Sequence, residues 1–248
     1  KVINASLGTS QLLSGDCDNA SSLTLAGANA IQQLANNGTM VFASAGNQGN
    51  ANAMSIPACL SGVVGVGAVW DRDFPTATAL GCTDTNVVAT TPTCFSNSSA
   101  GTDLYAPGAF ITSSGRTGGQ STYAGTSQAT PLVAGCASVL REAHPNASLQ
   151  QIRAALQASP TRVTDAKNGR NFPLLDCADA LAKLGGVTPQ NYAFAVSKTG
   201  TGSGTITSNP VGIDCGASCI ANFAAGTLLE LTAMSAGGSS FVSWSGCD

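Results

Sequence analysis

In the stretch Tyr123-Ala-Gly-Thr-Ser-Gln-Ala-Thr-Pro-Leu-Val-Ala-Gly135, Ser127 follows a Gly-Thr turn at the mouth of an apolar helix. A helix N-terminus leaves its first N–H groups without intrahelical partners and carries the positive end of the dipole. A hydroxyl held there stands beside donors suited to an oxyanion, and nucleophilic acyl transfer needs both. An ordinary N-cap serine occupies the same position, so the position by itself admits either role. Gly125-Thr-Ser-Gln-Ala lacks the second glycine of G-x-S-x-G, which argues against an esterase with a nucleophile elbow.

A serine hydroxyl at its normal pKa also needs an adjacent base. The chain holds one histidine, His144, 17 residues beyond Ser127. At 1.5 Å per residue that is roughly 25 Å along one helix, too far to act as the base. His144-Pro145 reads instead as a helix terminator. Asp16, Asp18 and Asn19 offer oxygens to a cation, but their spacing does not fill a calcium loop, and they read as a solvated acidic loop.

The elements around these residues alternate. Val2 to Leu7 is a short apolar strand. Thr24 to Asn37 reads as a helix with Leu25, Ala28, Ile31, Leu34 and Ala35 on one face, stopped by Gly38. Met40 to Ala45 is a buried strand closed by the turn run Gly46-Asn47-Gln48-Gly49-Asn50, and Gly62 to Val69 is another. Ser127 to Ala143 places Ala129, Leu132, Val133, Cys136, Ala137 and Leu140 at helical spacing. Ser148-Leu-Gln-Gln makes a capping box for a third helix with Leu149, Ile152, Ala155 and Leu156 inward. Asp176 to Leu184 is a short fourth helix. The alternation predicts an α/β fold, a mostly parallel sheet with helices on both faces.

The 248 residues suffice for one sizeable core plus a small module, and 43% hydrophobic with 9% charged residues describes a folded, turn-rich chain. A net charge of −3 gives no basic footprint for nucleic acid, and no apolar run reaches membrane-spanning length. Nine cysteines without a CxxC pair argue against a zinc cluster and for a secreted or periplasmic setting. Six (Cys17, Cys59, Cys82, Cys94, Cys136, Cys177) precede Gly185 and three (Cys215, Cys219, Cys247) follow it. Cys82–Cys94 and Cys215–Cys219 are candidate local loops, but the full connectivity stays open. Lys1 opens directly into a strand with no signal segment, so an internal fragment is expected.

Four blocks, VINASLG (Val2 to Gly8), FASAGNQG (Phe42 to Gly49), LYAPG (Leu104 to Gly108) and AGTSQATPLVAG (Ala124 to Gly135), resemble the subtilisin-like serine proteases in order and spacing, over about residues 1 to 185. The resemblance implies that Ser127 is the nucleophile and Asn47 the side-chain donor of the oxyanion hole, with the Ser127 N–H as its partner. It implies that Ser6, Leu7 and Gly8 pair with an extended peptide. It also makes Ser44, Ala45 and Gly46 a wall of the pocket for the residue before the cleaved bond, puts Ser55 near that pocket's base, and places Gly125 and Thr126 at the substrate. Thr9, Ala124 and Leu132 depart from the family pattern; Leu132 is placed on the apolar face. In that family the triad runs Asp, His, Ser, so both missing members are expected upstream of Lys1, and residues 1–186 are expected to be the C-terminal part of a peptidase domain, incomplete at its N-terminus and inactive alone. No cofactor is required; calcium is a structural ion the family often binds.

After a linker at 187–192, residues 193–248 show short strands, glycine turns and no helix, predicting a small all-β module. They resemble a bacterial extracellular repeat related to the internalin B-repeat, truncated before a partner for Cys247. The resemblance implies surface or substrate attachment, or a spacer. The expected function is therefore a secreted serine endopeptidase acting on protein or peptide substrates. The alternative is a noncatalytic extracellular adhesion or scaffold protein built on a degenerate protease domain.

Overall fold

The computed structural model describes the chain except residues 117, 186–190, 217, 225, 226, 228, 247 and 248. Two compact units emerge, Lys1–Gly186 and Val187–Asp248. The first contains β1 (Val2–Ala5), β2 (Leu12–Leu13), α1 (Ser22–Asn36), β3 (Met40–Ser44), β4 (Met54–Ser55), β5 (Val63–Trp70), β6 (Phe74–Ala79) and β7 (Cys82–Val87). It continues with β8 (Leu104–Ala109), β9 (Ile111–Ser114), β10 (Gln120–Tyr123), α2 (Thr126–Ala143), α3 (Leu149–Gln157), β11 (Arg162–Asp165), β12 (Arg170–Pro173) and α4 (Cys177–Gly185).

The frame is a four-stranded sheet in the order β1-β3-β5-β8, parallel throughout. All eight residues of β5 and all five of β3 are buried, as expected of strands covered on both faces. Side chains alternate along a strand, and the two faces of β3 separate accordingly. Met40 and Phe42 pack with Ala129, Val133, Ala137 and Leu140 of α2, while Val41 and Ala43 pack with Ala28, Ile31 and Leu34 of α1. Helices therefore cover both faces, as the alternation of elements predicts.

Two placements differ from the sequence reading. Leu25 of α1 and Leu132 of α2 are exposed, at 47% and 41%. Each falls off the stripe its helix buries; on α2 that stripe is Ala129–Val133–Ala137–Leu140, and Pro131-Leu132 turns away from the sheet. The α1 cap also lies earlier than expected. Ser21 forms a capping box with Thr24, whose hydroxyl takes the place of the usual Glu or Gln. Ser148 caps α3 as predicted, with Gln151 completing the box.

Among the described residues four disulfides form: Cys17–Cys59, Cys82–Cys94, Cys136–Cys177 and Cys215–Cys219. Both local loops are thus closed. The bond at Cys136 ties α2 to α4, closing a sequence separation of 41.

The second unit holds β13 (Asn191–Ala195), β14 (Gly204–Asn209), β15 (Ile220–Ala224) and β16 (Glu230–Ser235) in two antiparallel pairs, β13-β15 and β14-β16. No helix occurs among its described residues. Its small core gathers Ile206, Ile213 and Cys215, with Phe194, Phe223 and Leu231 against them. The expected linker at 187–192 is shorter at its end: Asn191 and Tyr192 already belong to β13, in register with Ala224 and Phe223 of β15. Residues 187–190 of that linker, and Cys247, lie outside the described residues.

Candidate active site

The C-terminal ends of β1 and β3 meet the N-terminus of α2. Ligands of open α/β sheets bind at such an edge, and the sequence candidates converge there. β1 delivers Ser6 and β3 delivers Asn47; Gly125 caps α2 ahead of Thr126 and Ser127.

Asn47 is held by its oxygen. Oδ1 accepts from the Thr126 N–H at 2.9 Å and from the Thr126 hydroxyl at 2.8 Å. With both acceptor positions filled, the carboxamide cannot flip, and Nδ2 points the other way with no partner among the described residues. The Ser127 N–H, an orphan of the first helical turn, is likewise free. A Cβ on Gly125 would lie 3.2 Å from Asn47 Nδ2 and 3.6 Å from the Ser127 nitrogen. Two unpartnered donors therefore border one space beside Gly125 (φ +153°), which Gln128 Oε1 also approaches, 2.9 Å from the same Cβ position.

Ser127 is half-buried. Its Oγ makes one contact, a 3.4 Å approach to the Ser6 carbonyl. The reverse contact is stronger: Ser6 Oγ donates to the Ser127 carbonyl at 2.8 Å. Pro131 explains why that carbonyl is available. It stands four residues on, where a helical N–H would otherwise bond the Ser127 oxygen, and proline has none. No imidazole or carboxylate reaches Ser127 among the described residues. His144 is the C-cap of α2, the helix that Ser127 opens, at its opposite end.

The remaining candidates gather on two sides. Leu7 and Gly8 are exposed, past the end of β1, and their backbone groups have no partners among the described residues. Ser44 and Ala45 are buried, so Gly46 alone of that wall is open to solvent. Ser55 is buried between the walls: a Cβ at Gly8 would meet Ser55 Cβ at 2.8 Å, and a Cβ at Gly46 would collide with Ser55 Oγ. Thr126 does not face this crevice. Its side chain is fully buried, donating to Asn47 and accepting from the Gly46 N–H at 3.2 Å, so it stands behind Asn47. Thr9 ties the segment after Gly8 to Ile56 through its backbone N–H at 3.1 Å.

Residues 93–99 hold a run of fully buried polar groups near the site, Thr93 and Ser96 to Ser99. Asn97 is fully buried and threads its carboxamide into the 45–50 turn. No local pattern in the sequence singles it out, since its partners lie about fifty positions earlier.

Asp16, Asp18 and Asn19 lie in the segment between β2 and α1. The Asp18 carboxylate is engaged by Ser61, accepting from its N–H at 2.9 Å and its hydroxyl at 2.6 Å. No group of three metal-binding side chains comes together among the described residues, and no helix there is long and apolar enough to cross a membrane.

The chain is similar to known proteases in sequence and fold. The alkaline elastase YaB of Bacillus sp. (strain YaB) is 33% identical over 162 residues, covering 65% of this chain and 35% of that protein. The alkaline serine exoprotease A of Vibrio alginolyticus is 31% identical over 182 residues, covering 72% of this chain and 28% of that one. Among solved structures, the prenylagaramide maturation protease PagA superposes with a TM-score of 0.58 at 29% identity, over 75% of this chain and 62% of the other. A cold-adapted subtilisin-like serine proteinase gives 0.52 at 28%, over 70% and 54%. The chain thus spans about a third of the curated relatives' length and up to about three-fifths of these structures. The profile described as the subtilase family matches residues 1–174. Together with the strand order and the Ser127–Asn47 corner, that match places the chain in the subtilase family of serine proteases.

Proposed function

We propose that residues 1–186 carry the nucleophile half of a serine endopeptidase. Ser127 Oγ attacks the scissile carbonyl carbon, its proton passes to a base, and the oxygen that becomes negative takes hydrogen bonds from Asn47 Nδ2 and the Ser127 N–H. Collapse of that intermediate expels the amine and leaves an acyl-enzyme on Ser127, which water then cleaves. The observation that carries this reading is the convergence of two unpartnered donors on the space beside Gly125. A scaffold has no use for a carboxamide locked with its donor outward. The base and its orienting acid belong to a part of the polypeptide outside these 248 residues. The share of the relatives covered supports this, as does His144 at the far end of α2.

Substrate lies along Leu7 and Gly8, whose free backbone groups suit edge pairing with an extended peptide. Gly46, backed by the buried Ser44, Ala45 and Ser55, borders the space for the side chain before the cleaved bond. Four disulfides fit secretion into an oxidising setting. The second unit serves attachment: Phe241 and Trp244 lie with ring centroids 5.2 Å apart, tilted by 54°, while staying 48% and 40% exposed. Calcium, where bound, has a structural role away from the Asp16–Asn19 loop.

The test is fluorophosphonate labelling of the complete protein. Label is expected on Ser127 and absent from Ser127→Ala. Label retained by that variant refutes the assignment, and an unlabelled wild type favours the noncatalytic scaffold.

A further inference from the structure

A donor that must point at a transient charge is only as good as the loop that carries it, and the Asn47 loop has little structure of its own. It is neither helix nor strand. Gly46 sits at φ +105°, and a Cβ there would collide with Asn97 Nδ2 and Ser55 Oγ. What shapes the loop is one buried side chain. Asn97 Oδ1 accepts from the N–H of Gln48 at 3.0 Å and of Asn50 at 2.9 Å. Asn97 Nδ2 donates to the Ala45 carbonyl at 3.1 Å and to Gln48 Oε1 at 2.6 Å. Those four bonds use the whole capacity of a carboxamide. The Asn97 backbone N–H adds a fifth, to the Gly46 carbonyl at 2.9 Å. Every residue from Ala45 to Asn50 except Asn47 and Gly49 is thereby bonded to Asn97, and Gly49 is bonded to Phe95 at 2.7 Å.

We infer that Asn97 is a positioning residue for oxyanion stabilisation: it casts the 45–50 turn so that Asn47 Nδ2 meets the developing charge. This rests on the reading of Asn47 given above. Thr126 fixes the carboxamide's rotation from the helix side, and Asn97 fixes the backbone from which that carboxamide projects. Two supports on opposite sides hold the donor in place before the reaction, and such preorganisation makes an oxyanion donor effective.

The experiment is a double-mutant cycle in the complete protein, using a peptide substrate and following kcat and KM separately. Asn97→Asp keeps the acceptor for Gln48 and Asn50 but sets an oxygen against the Ala45 carbonyl and Gln48 Oε1. It is expected to lower kcat about tenfold, with KM within about twofold. In an Asn47→Ala background the same change is expected to cost nothing further, because the donor it positions is gone. An equal loss in both backgrounds, an effect confined to KM, or an unchanged kcat in the folded variant overturns the inference. Should Asn97→Asp fail to fold, Gln48→Met, which removes an exposed partner of the same carboxamide, is read in the same cycle and judged by the same non-additivity. Hydrolysis that persists in Ser127→Ala, or is absent from the wild type, refutes the peptidase reading itself. Amide exchange at Gln48 and Asn50 then still reports whether Asn97 holds the turn: Asn97→Ala is expected to remove their protection, and unchanged protection would refute the clamp.

Discussion

Arg153→Met tests whether the sheet beneath the site depends on a buried charge. Asp103, just ahead of β8, has a side chain 2% exposed. Its Oδ2 accepts from the Gly65 N–H of β5 at 2.8 Å; its Oδ1 accepts from Gln157 Nε2 at 2.6 Å and from Arg153 Nε at 2.8 Å. Arg153 also donates to the carbonyls of Ser61 and Val63. Burial pushes the Asp103 carboxyl above its usual range, with the Arg153 charge pulling the other way. Removing the guanidinium leaves a carboxylate with two neutral partners and no opposite charge. The loss is placed at about 3 kcal/mol, the lower end for breaking a buried pair, because Gly65 and Gln157 remain. For a unit of this size that is a fall in melting temperature of about 6–12 °C. The pH dependence has a definite sign. A carboxyl with a raised folded pKa binds protons more readily in the native state, so stability falls as pH rises through that pKa and is regained below it. Losing Arg153 raises that pKa further. The melting temperature of Arg153→Met, followed by circular dichroism, should therefore lie furthest below wild type at neutral pH and recover part of the gap as the pH is lowered towards the ordinary carboxylate range. Asp103→Asn in the same chain should restore most of it, since Gln157 can turn its carbonyl to the new amide. A deficit below about 1 kcal/mol, or one independent of pH, would show that Asp103 is not held by Arg153.

Three further outcomes follow from the geometry. Ser55→Gly removes the hydroxymethyl group between Gly8 and Gly46, and is expected to raise kcat/KM for a larger side chain before the cleaved bond by about tenfold relative to alanine; an unchanged ratio across a peptide series would place that pocket elsewhere. Replacing Cys136 and Cys177 by serine opens a loop with a sequence separation of 41, costing about 4 kcal/mol on chain entropy, read from denaturant midpoints. His144→Ala is expected to leave kcat unchanged within about twofold, because the residue caps the far end of α2; a large loss would contradict the placement of the base outside these residues.

The frame was legible where burial is continuous. The apolar runs at Met40 and Gly62 announce fully covered strands, and the spacing through Ala129, Val133, Ala137 and Leu140 announces α2. Hairpins with polar faces were not legible. β6 and β7 turn at Leu80-Gly81, both at positive φ, and leucine there carries none of the Asn-Gly signal that marks such a turn. Ser127 and Asn47 were visible through their blocks, and the structure adds why Asn47 points outward. Asn97 was hidden for a physical reason: Thr93 and Ser96 to Ser99 are polar yet fully buried, so composition suggests a solvated loop where there is a cast.

Pro131 bears on the order in which the site is assembled. A helix of this length forms within about a microsecond once its sheet contacts exist, and most of α2 needs nothing further. Its first turn is different, because the Ser127 carbonyl takes its hydrogen bond from Ser6, 121 residues earlier in the chain. Contacts that close so long a loop come late in folding. The turn that carries Ser127 therefore completes its hydrogen bonds only where β1 and the segment after it are in place.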